Sequence, residues 1–197
     1  GCNEQLVFTR PDAVQAVHLK GAFNVSRAAA TFFKEQGSGS HVHMTSTSAL
    51  IGNFGQANYG AAKMAVNGLI NVLRFEGAKY NIRLNAISPS AYTRMTESLL
   101  PPDMAPWMKP ELVSPMVAYL CSEECDQNGE IMAATAGGYA RVQYFVTEGV
   151  QFDPAEPVTI EMVRDKIGQI RDLDHIRPYF GMMGNVVEKL REMGRVK

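Results

Sequence analysis

Three side chains in the stretch 46–63, STSALIGNFGQANYGAAK, have the types and spacing that proton transfer at a carbonyl requires. Tyr59 and Lys63 are four residues apart, which on a helix stacks them on one face, a turn apart. Ser46 lies thirteen residues before Tyr59, at the end of a β-branched and apolar run, with Gly52 and Gly55 between. A strand running into a helix would deliver a hydroxyl, a phenol and an ammonium to one rim. A free phenol titrates near 10, and an ammonium within about 4–6 Å favours the phenolate. Tyr59 would then exchange a proton with an alcohol or a ketone near neutral pH, while Ser46 hydrogen-bonds the reacting oxygen. No His–Asp pair lies nearby in the sequence to make the serine a nucleophile. The Tyr–Lys pair alone also fits a half-buried tyrosine beside a snorkelling lysine.

The elements that must position these groups alternate. Residues 11–36 read as a helix with broad apolar stripes, closed by Gly37-Ser38-Gly39-Ser40. A β-branched and apolar strand follows over 41–49, then a long Ala-, Leu- and Val-rich helix over 56–80. A second short strand is expected over 82–87, broken at Pro89, then an irregular apolar stretch over 91–110, a helix over 114–121 and a third strand over 130–135. This order predicts an α/β doubly wound parallel sheet, Rossmann-like, with the strands' carboxyl ends on one side. Residues 1–138 read as this unit and 139–197 as a helical extension. In the extension, Thr159 is a candidate N-cap for a helix over 160–173 with a Val163, Ile167, Ile170 stripe. A second amphipathic segment over 186–193 interleaves Glu188 and Glu192 with Lys189 and Arg191, which favours a solvated face or a subunit contact over a membrane surface.

The totals narrow the class. With 197 residues, a net charge of −1 and a pI near 6.5, the chain suits one core plus an appendage and gives no reason to expect nucleic acid or anionic membrane as a partner. No apolar run reaches the ~18 residues of a membrane span, no signal peptide is evident, and the carboxy-terminal Arg-Val-Lys is not a peroxisomal tripeptide. The expectation is a cytoplasmic protein. Cys2, Cys121 and Cys125 fit neither a C-x-x-C nor a zinc pattern, so packing thiols in a reducing compartment are expected. His41 and His43 share a strand face without a plausible third ligand, so structural histidines are expected and no metal.

The stretches Asn-Phe-Gly-Gln-Ala-Asn-Tyr at 53–59 and Ala61-Ala62-Lys63, with Ser46 ahead of them, resemble the active-site segment of the short-chain dehydrogenase/reductase family. The likeness spans about 12–138. Ser90 replaces the family's usual glycine after Pro89, and this departure is itself similar to the (3R)-hydroxyacyl-CoA dehydrogenase units of multifunctional β-oxidation enzymes. So are Val17-His18-Leu19-Lys20-Gly21, Arg94-Met95-Thr96 and Lys109-Pro110-Glu111. The resemblance implies Tyr59 as acid/base, Lys63 as its tuner and Ser46 as carbonyl anchor. It implies that Tyr59, Lys63, Pro89, Ala91 and Thr93 approach the nicotinamide of NAD, with NADP also open. His18 stands where the wider family has an asparagine that relays protons through water, so it is either a relay group or a structural histidine. The resemblance further implies a 3-hydroxyacyl-CoA substrate, a homo-oligomer built on the two long helices, and a substrate lid in the Met-rich stretch 95–108.

No G-x-x-x-G-x-G pyrophosphate turn occurs in the sequence, and neither Gly137-Gly138 nor Gly181…Gly184 follows a suitable strand. About three more β-α units, or ~90 residues, would have to precede residue 12 to supply the turn and the residue that selects NAD or NADP. Only the carboxy-terminal part of the nucleotide fold is therefore expected here. The alternatives are a 3-ketoacyl carrier-protein reductase and, in another class, a catalytically silent interaction subunit.

Overall fold

A computed structural model describes residues 11–178 and 184–196. The readings made of residues 1–10, including Cys2, and of Gly181 lie outside the described residues. The chain divides into two compact units, one ending at Val142 and one running from Gln143.

The first unit opens with helix α1, made of Pro11–Gln15, a π-helical turn over Ala16–Lys20, and Gly21–Gln36. The π turn, in which the Gly21 amide donates to the Ala16 carbonyl, was not expected from the sequence; such single turns inside α-helices are frequent at functional sites. Gly37, at φ 73°, ends α1 in the left-handed conformation, its amide donating to the Phe33 carbonyl. The chain then enters β1, Gly39–Met44. Gly39 has no alternative here, because a Cβ would stand 2.2 Å from the Phe33 ring.

The expected strand over 41–49 is corrected. It stops at Met44, and a single helical turn, α2 (Thr47–Leu50), follows because the Ser46 hydroxyl caps it by accepting the Ser48 amide. Helix α3 spans Ala57–Ala78, β2 Ile82–Ser90, α4 Ser114–Cys121 and β3 Ile131–Thr135. β1, β2 and β3 are parallel, in the order β1-β2-β3. A fourth strand, β4 (Gly138–Val142), which the sequence reading missed, folds back antiparallel on β3 through a turn at Ala136-Gly137. The sheet is therefore mixed rather than wholly parallel.

The expected break of the second strand at Pro89 is also corrected: β2 continues through it, Pro89 lying opposite Ala134 of β3. Ala86 donates its amide toward the β3 side, to Glu130, and Ile87 accepts from Thr45 on the β1 side. Alternation turns the Pro89 nitrogen to the β1 side. There the register has already ended at Met44–Ile87, so the missing N–H forfeits no ladder bond.

Side-chain alternation shows that both sheet faces are covered. His41 and His43 face α1, where the His41 ring meets Phe33 edge-on and His43 Nε2 lies 3.2 Å from Ser26 Oγ. From the other face, Ser40 Oγ donates to the Leu120 carbonyl of α4 at 2.8 Å. The architecture is thus doubly wound α/β. Its core joins Val66 and Ile70 of α3 to Ile82, Leu84, Ala86 and Ile131. Asn85, wholly buried, donates to the Gln127 carbonyl and accepts the Glu130 amide, tying β2 to the segment ahead of β3. Cys125 packs inside, off the end of α4, and donates to Gln127 Oε1, while Cys121 is exposed; both are free thiols.

The second unit pairs β5 (Phe145–Thr147) with β6 (Ile176–Pro178), antiparallel. It also holds α5 (Ile160–Ile170) and α6 (Gly184–Glu192). Thr159 caps α5 by accepting the Met162 amide, but the expected Val163 and Ile167 stripe stays 39% and 47% exposed. Lys189 donates to the Glu148 carbonyl, and Arg195 pairs with Asp153. The side chains of Val186 and Glu188 lie outside the described residues.

Candidate active site

β1 ends at Met44 and α3 begins at Ala57, and Lys63 joins the two. It is 8% exposed, and its Nζ donates to the Met44 carbonyl oxygen at 2.8 Å. Nearby, Thr45 Oγ1 donates to the Lys63 carbonyl at 3.4 Å. A neutral carbonyl is the ammonium's partner; among the described residues no carboxylate stands within ion-pair distance of Lys63. Its positive field is therefore not cancelled locally, and it lies 5.7 Å from the centre of the Tyr59 ring. Burial pushes the Lys63 pKa below the usual lysine range.

Tyr59 is half-buried on the first turn of α3, with its amide donating to Asn58 Oδ1 at 2.7 Å. The ring of His18, carried on the π turn of α1, meets the Tyr59 ring edge-on, with centroids 5.1 Å apart and planes at 83°. Partial burial, and then the Lys63 charge, hold the His18 pKa below its ordinary value, so the imidazole is neutral at pH 7. Ser46 is half-buried two residues beyond Met44. Because its oxygen accepts the Ser48 amide at 3.2 Å, its hydroxyl hydrogen stays available to donate to a substrate oxygen.

β2 runs through Pro89 to Ser90, and Ala91 and Thr93 follow in the loop. Thr96 shapes that loop: its hydroxyl donates to the Ala91 carbonyl at 2.7 Å and accepts the Thr93 amide at 2.8 Å. The Ser88 and Thr47 hydroxyls, 3.4 Å apart, join the end of β2 to the start of α2. His18 and Lys63 thus both stand against the Tyr59 ring, Ser46 follows the end of β1, and Pro89 lies near the end of the neighbouring strand β2, with Ala91 and Thr93 in the loop after it. These residues lie at the strand carboxyl ends, the end at which open α/β sheets bind ligands. The loop carries exposed Met95, Leu99 and Trp107, and the segment after α2 carries exposed Ile51 and Phe54.

His41 and His43 are packed strand groups, their rings 5.4 Å apart. Burial, the neighbouring imidazole and Lys63 push His43 down to about 4. Among the described residues no group of three or more His, Cys, Asp or Glu is placed to hold a metal ion, and no helix is long and apolar enough to cross a membrane. Sequence reasoning missed the Met44 carbonyl, Ser48, Gln56 and Thr96. Ser48 and Gln56 flank the reactive residues as polar side chains, a weak signal, while a backbone acceptor such as Met44 leaves none.

The residues of this site suit only the nicotinamide end of a dinucleotide. Lys63 uses one ammonium N–H on Met44 and has two more for hydroxyl acceptors, and the carboxyl end of β2 lies open on its β1 side. Among the described residues no glycine-rich strand-to-helix turn supplies a pyrophosphate cradle.

The family model described as short chain dehydrogenase matches residues 4–103. A short-chain type dehydrogenase/reductase of Mycobacterium tuberculosis is 47% identical over 173 residues, covering 88% of this chain and 60% of that protein. Peroxisomal multifunctional enzyme type 2 of Drosophila melanogaster is 40% identical over 189 residues, 92% of this chain and 32% of that one. The solved structure of that full-length enzyme superposes with a TM-score of 0.82 at 35% identity, over 97% of this chain and 34% of that chain. The chain therefore spans about a third to three fifths of the length of these relatives. Its matched segment and its mixed, mainly parallel sheet with helices on both faces agree: the chain belongs to the short-chain dehydrogenase family.

Proposed function

We propose that the protein is an oxidoreductase that passes hydride between a nicotinamide dinucleotide and the hydroxyl or ketone of a 3-hydroxyacyl-CoA, and that this chain carries its proton-transfer site. The observation that carries the reading is the Lys63 ammonium, held by a backbone carbonyl and uncancelled by any carboxylate among the described residues, beside the Tyr59 ring. Charge developing on the phenol oxygen is stabilised by that ammonium, so Tyr59 takes the proton from the alcohol as it becomes a ketone, and returns it in reverse. Ser46 donates its hydroxyl hydrogen to the substrate oxygen and fixes it in line. Neutral His18, edge-on to Tyr59, either relays the proton outward or holds the ring. Pro89, Ala91, Thr93 and Lys63 would hold the nicotinamide side of the dinucleotide, NAD or NADP, which when bound supplies the hydride acceptor. The likeness to multifunctional enzymes of peroxisomes, and the apolar Met95, Leu99 and Trp107 exposed on the segment after β2, support an acyl chain as substrate.

The reading includes association of copies of the chain. Exposed Phe23 and Phe32 on α1 and Val72 and Phe75 on α3 support a contact through the two long helices, which sedimentation measures. Replacing Tyr59 by phenylalanine is the decisive experiment for the chemistry. Dinucleotide reduction with a (3R)-hydroxyacyl-CoA should vanish while thermal stability changes little, and retained turnover refutes the assignment.

A further inference from the structure

Ser46 stands at the start of α2, a helix of only four residues. One isolated helical turn is not self-sustaining, because nucleation is unfavourable, so something else must fix where that hydroxyl points. The side chain of Gln56 is in place to do it. Its Oε1 accepts the Ser48 hydroxyl at 2.5 Å and the Asn53 amide group at 3.2 Å. Its backbone N–H donates to the Asn53 carbonyl at 3.2 Å, and its carbonyl accepts the Gly60 amide at 2.7 Å. Gln56 is also the residue immediately preceding α3, three positions before Tyr59. One side-chain oxygen thus joins the turn that carries Ser46 to the helix that carries Tyr59 and Lys63. The fit is close: a Cβ at Gly60 would stand 2.9 Å from the Ser48 carbonyl.

We propose that Gln56 is a positioning residue that fixes the Ser46 hydroxyl relative to the Tyr59 phenol by holding Ser48. It touches no reacting atom. Among the described residues the side-chain contacts of Gln56 are donations to Oε1, so a glutamate can replace it and an isosteric methionine cannot. The proposal rests on the dehydrogenase reading for its consequence in turnover but not for the tether itself.

The test uses the full chain with NAD and (3R)-hydroxybutyryl-CoA, together with hydrogen exchange of the peptide covering 46–58. Gln56→Met should raise exchange in that peptide and lower kcat at least tenfold, with the KM for NAD within twofold of wild type. Gln56→Glu should return both readouts to near wild type. Ser48→Ala should reproduce the Gln56→Met effects, and the double variant Ser48→Ala/Gln56→Met should be no slower than the slower single one, because both remove the same contact. Should Gln56→Met not fold, Ser48→Ala carries the same measurements. Unchanged exchange over 46–58, kcat within threefold of wild type, multiplicative effects in the double variant, or a glutamate variant as slow as the methionine one would each overturn the assignment. Absence of turnover in the wild-type chain would count against the dehydrogenase reading alone, and the exchange comparison would still decide whether the tether exists.

Discussion

Replacing Lys63 by methionine separates what the ammonium does for the fold from what it does for the reaction. The stem occupies a buried position and the head donates to Met44; methionine has a similar length and no charge. Two opposing effects act on stability. The Met44 carbonyl loses its charged donor, at a cost of about 1–3 kcal/mol, while the burial penalty that lowers the Lys63 pKa disappears. They nearly offset, so the folded state should shift by less than about 2 kcal/mol. The effect on turnover has no such compensation. With the ammonium 5.7 Å from the ring centre, an effective dielectric of about 20 gives about 3 kcal/mol for a full negative charge on Tyr59, or about a hundredfold in rate. Urea denaturation followed by circular dichroism measures the first quantity, and steady-state reduction of the dinucleotide at pH 7 measures the second. A variant with kcat within fivefold of wild type would show that the ammonium does not stabilise the transferring phenol. A loss above about 4 kcal/mol of stability, with turnover falling only in step with the unfolded fraction, would make Lys63 a structural residue.

Three other perturbations follow from the packing. Asn85→Leu leaves the Gln127 carbonyl and the Glu130 amide without their buried partner, and should destabilise the chain by about 2–4 kcal/mol in urea denaturation; a neutral result would mean that the strand does not depend on this tie. Ile70→Ala empties a site 1% exposed in the core and should cost about 2–5 kcal/mol, read in the same experiment. Folded His43 titrates at about 4, through burial, His41 and Lys63, against about 6.5 in an unfolded chain. The unfolded state therefore binds its proton first as the pH falls. Stability is unaffected above about 6.5 and declines between about 6.5 and 4, with His41 and His18, also lowered, contributing in the same sense. Denaturation midpoints at a series of pH values should show this decline, reduced in His43→Asn; an unaltered slope in that variant would place the proton uptake elsewhere.

The alternation of elements and the Tyr59–Lys63 spacing are legible in the sequence because both depend on local periodicity. A helix with apolar stripes and an i, i+4 pair look the same in isolation as in the folded chain. What escaped depends on partners distant in sequence. Pro89 reads as a strand breaker until the register shows that β1 has already ended beside it. The return strand β4 is invisible as a parallel-sheet element because only its pairing with β3 defines it. The run 41–49 reads as one strand because Val42 and Thr45 favour extension, and only the capping bond from the Ser48 amide to Ser46 shows where it turns. The π turn has no compositional mark, yet it presents His18 to Tyr59.

The proline in β2 has a consequence for how this end of the sheet stays free. Two neighbouring strands of unequal length leave exposed backbone on the longer one, and exposed backbone invites any passing extended segment to zip onto it. At Pro89 the inviting amide does not exist, so an intruder would find a gap in the ladder where the gap between β1 and β2 begins. The notch stays unzippered by covalent necessity, and a substitution restoring that amide would be expected to make the mouth of the site a place where chains stick to one another.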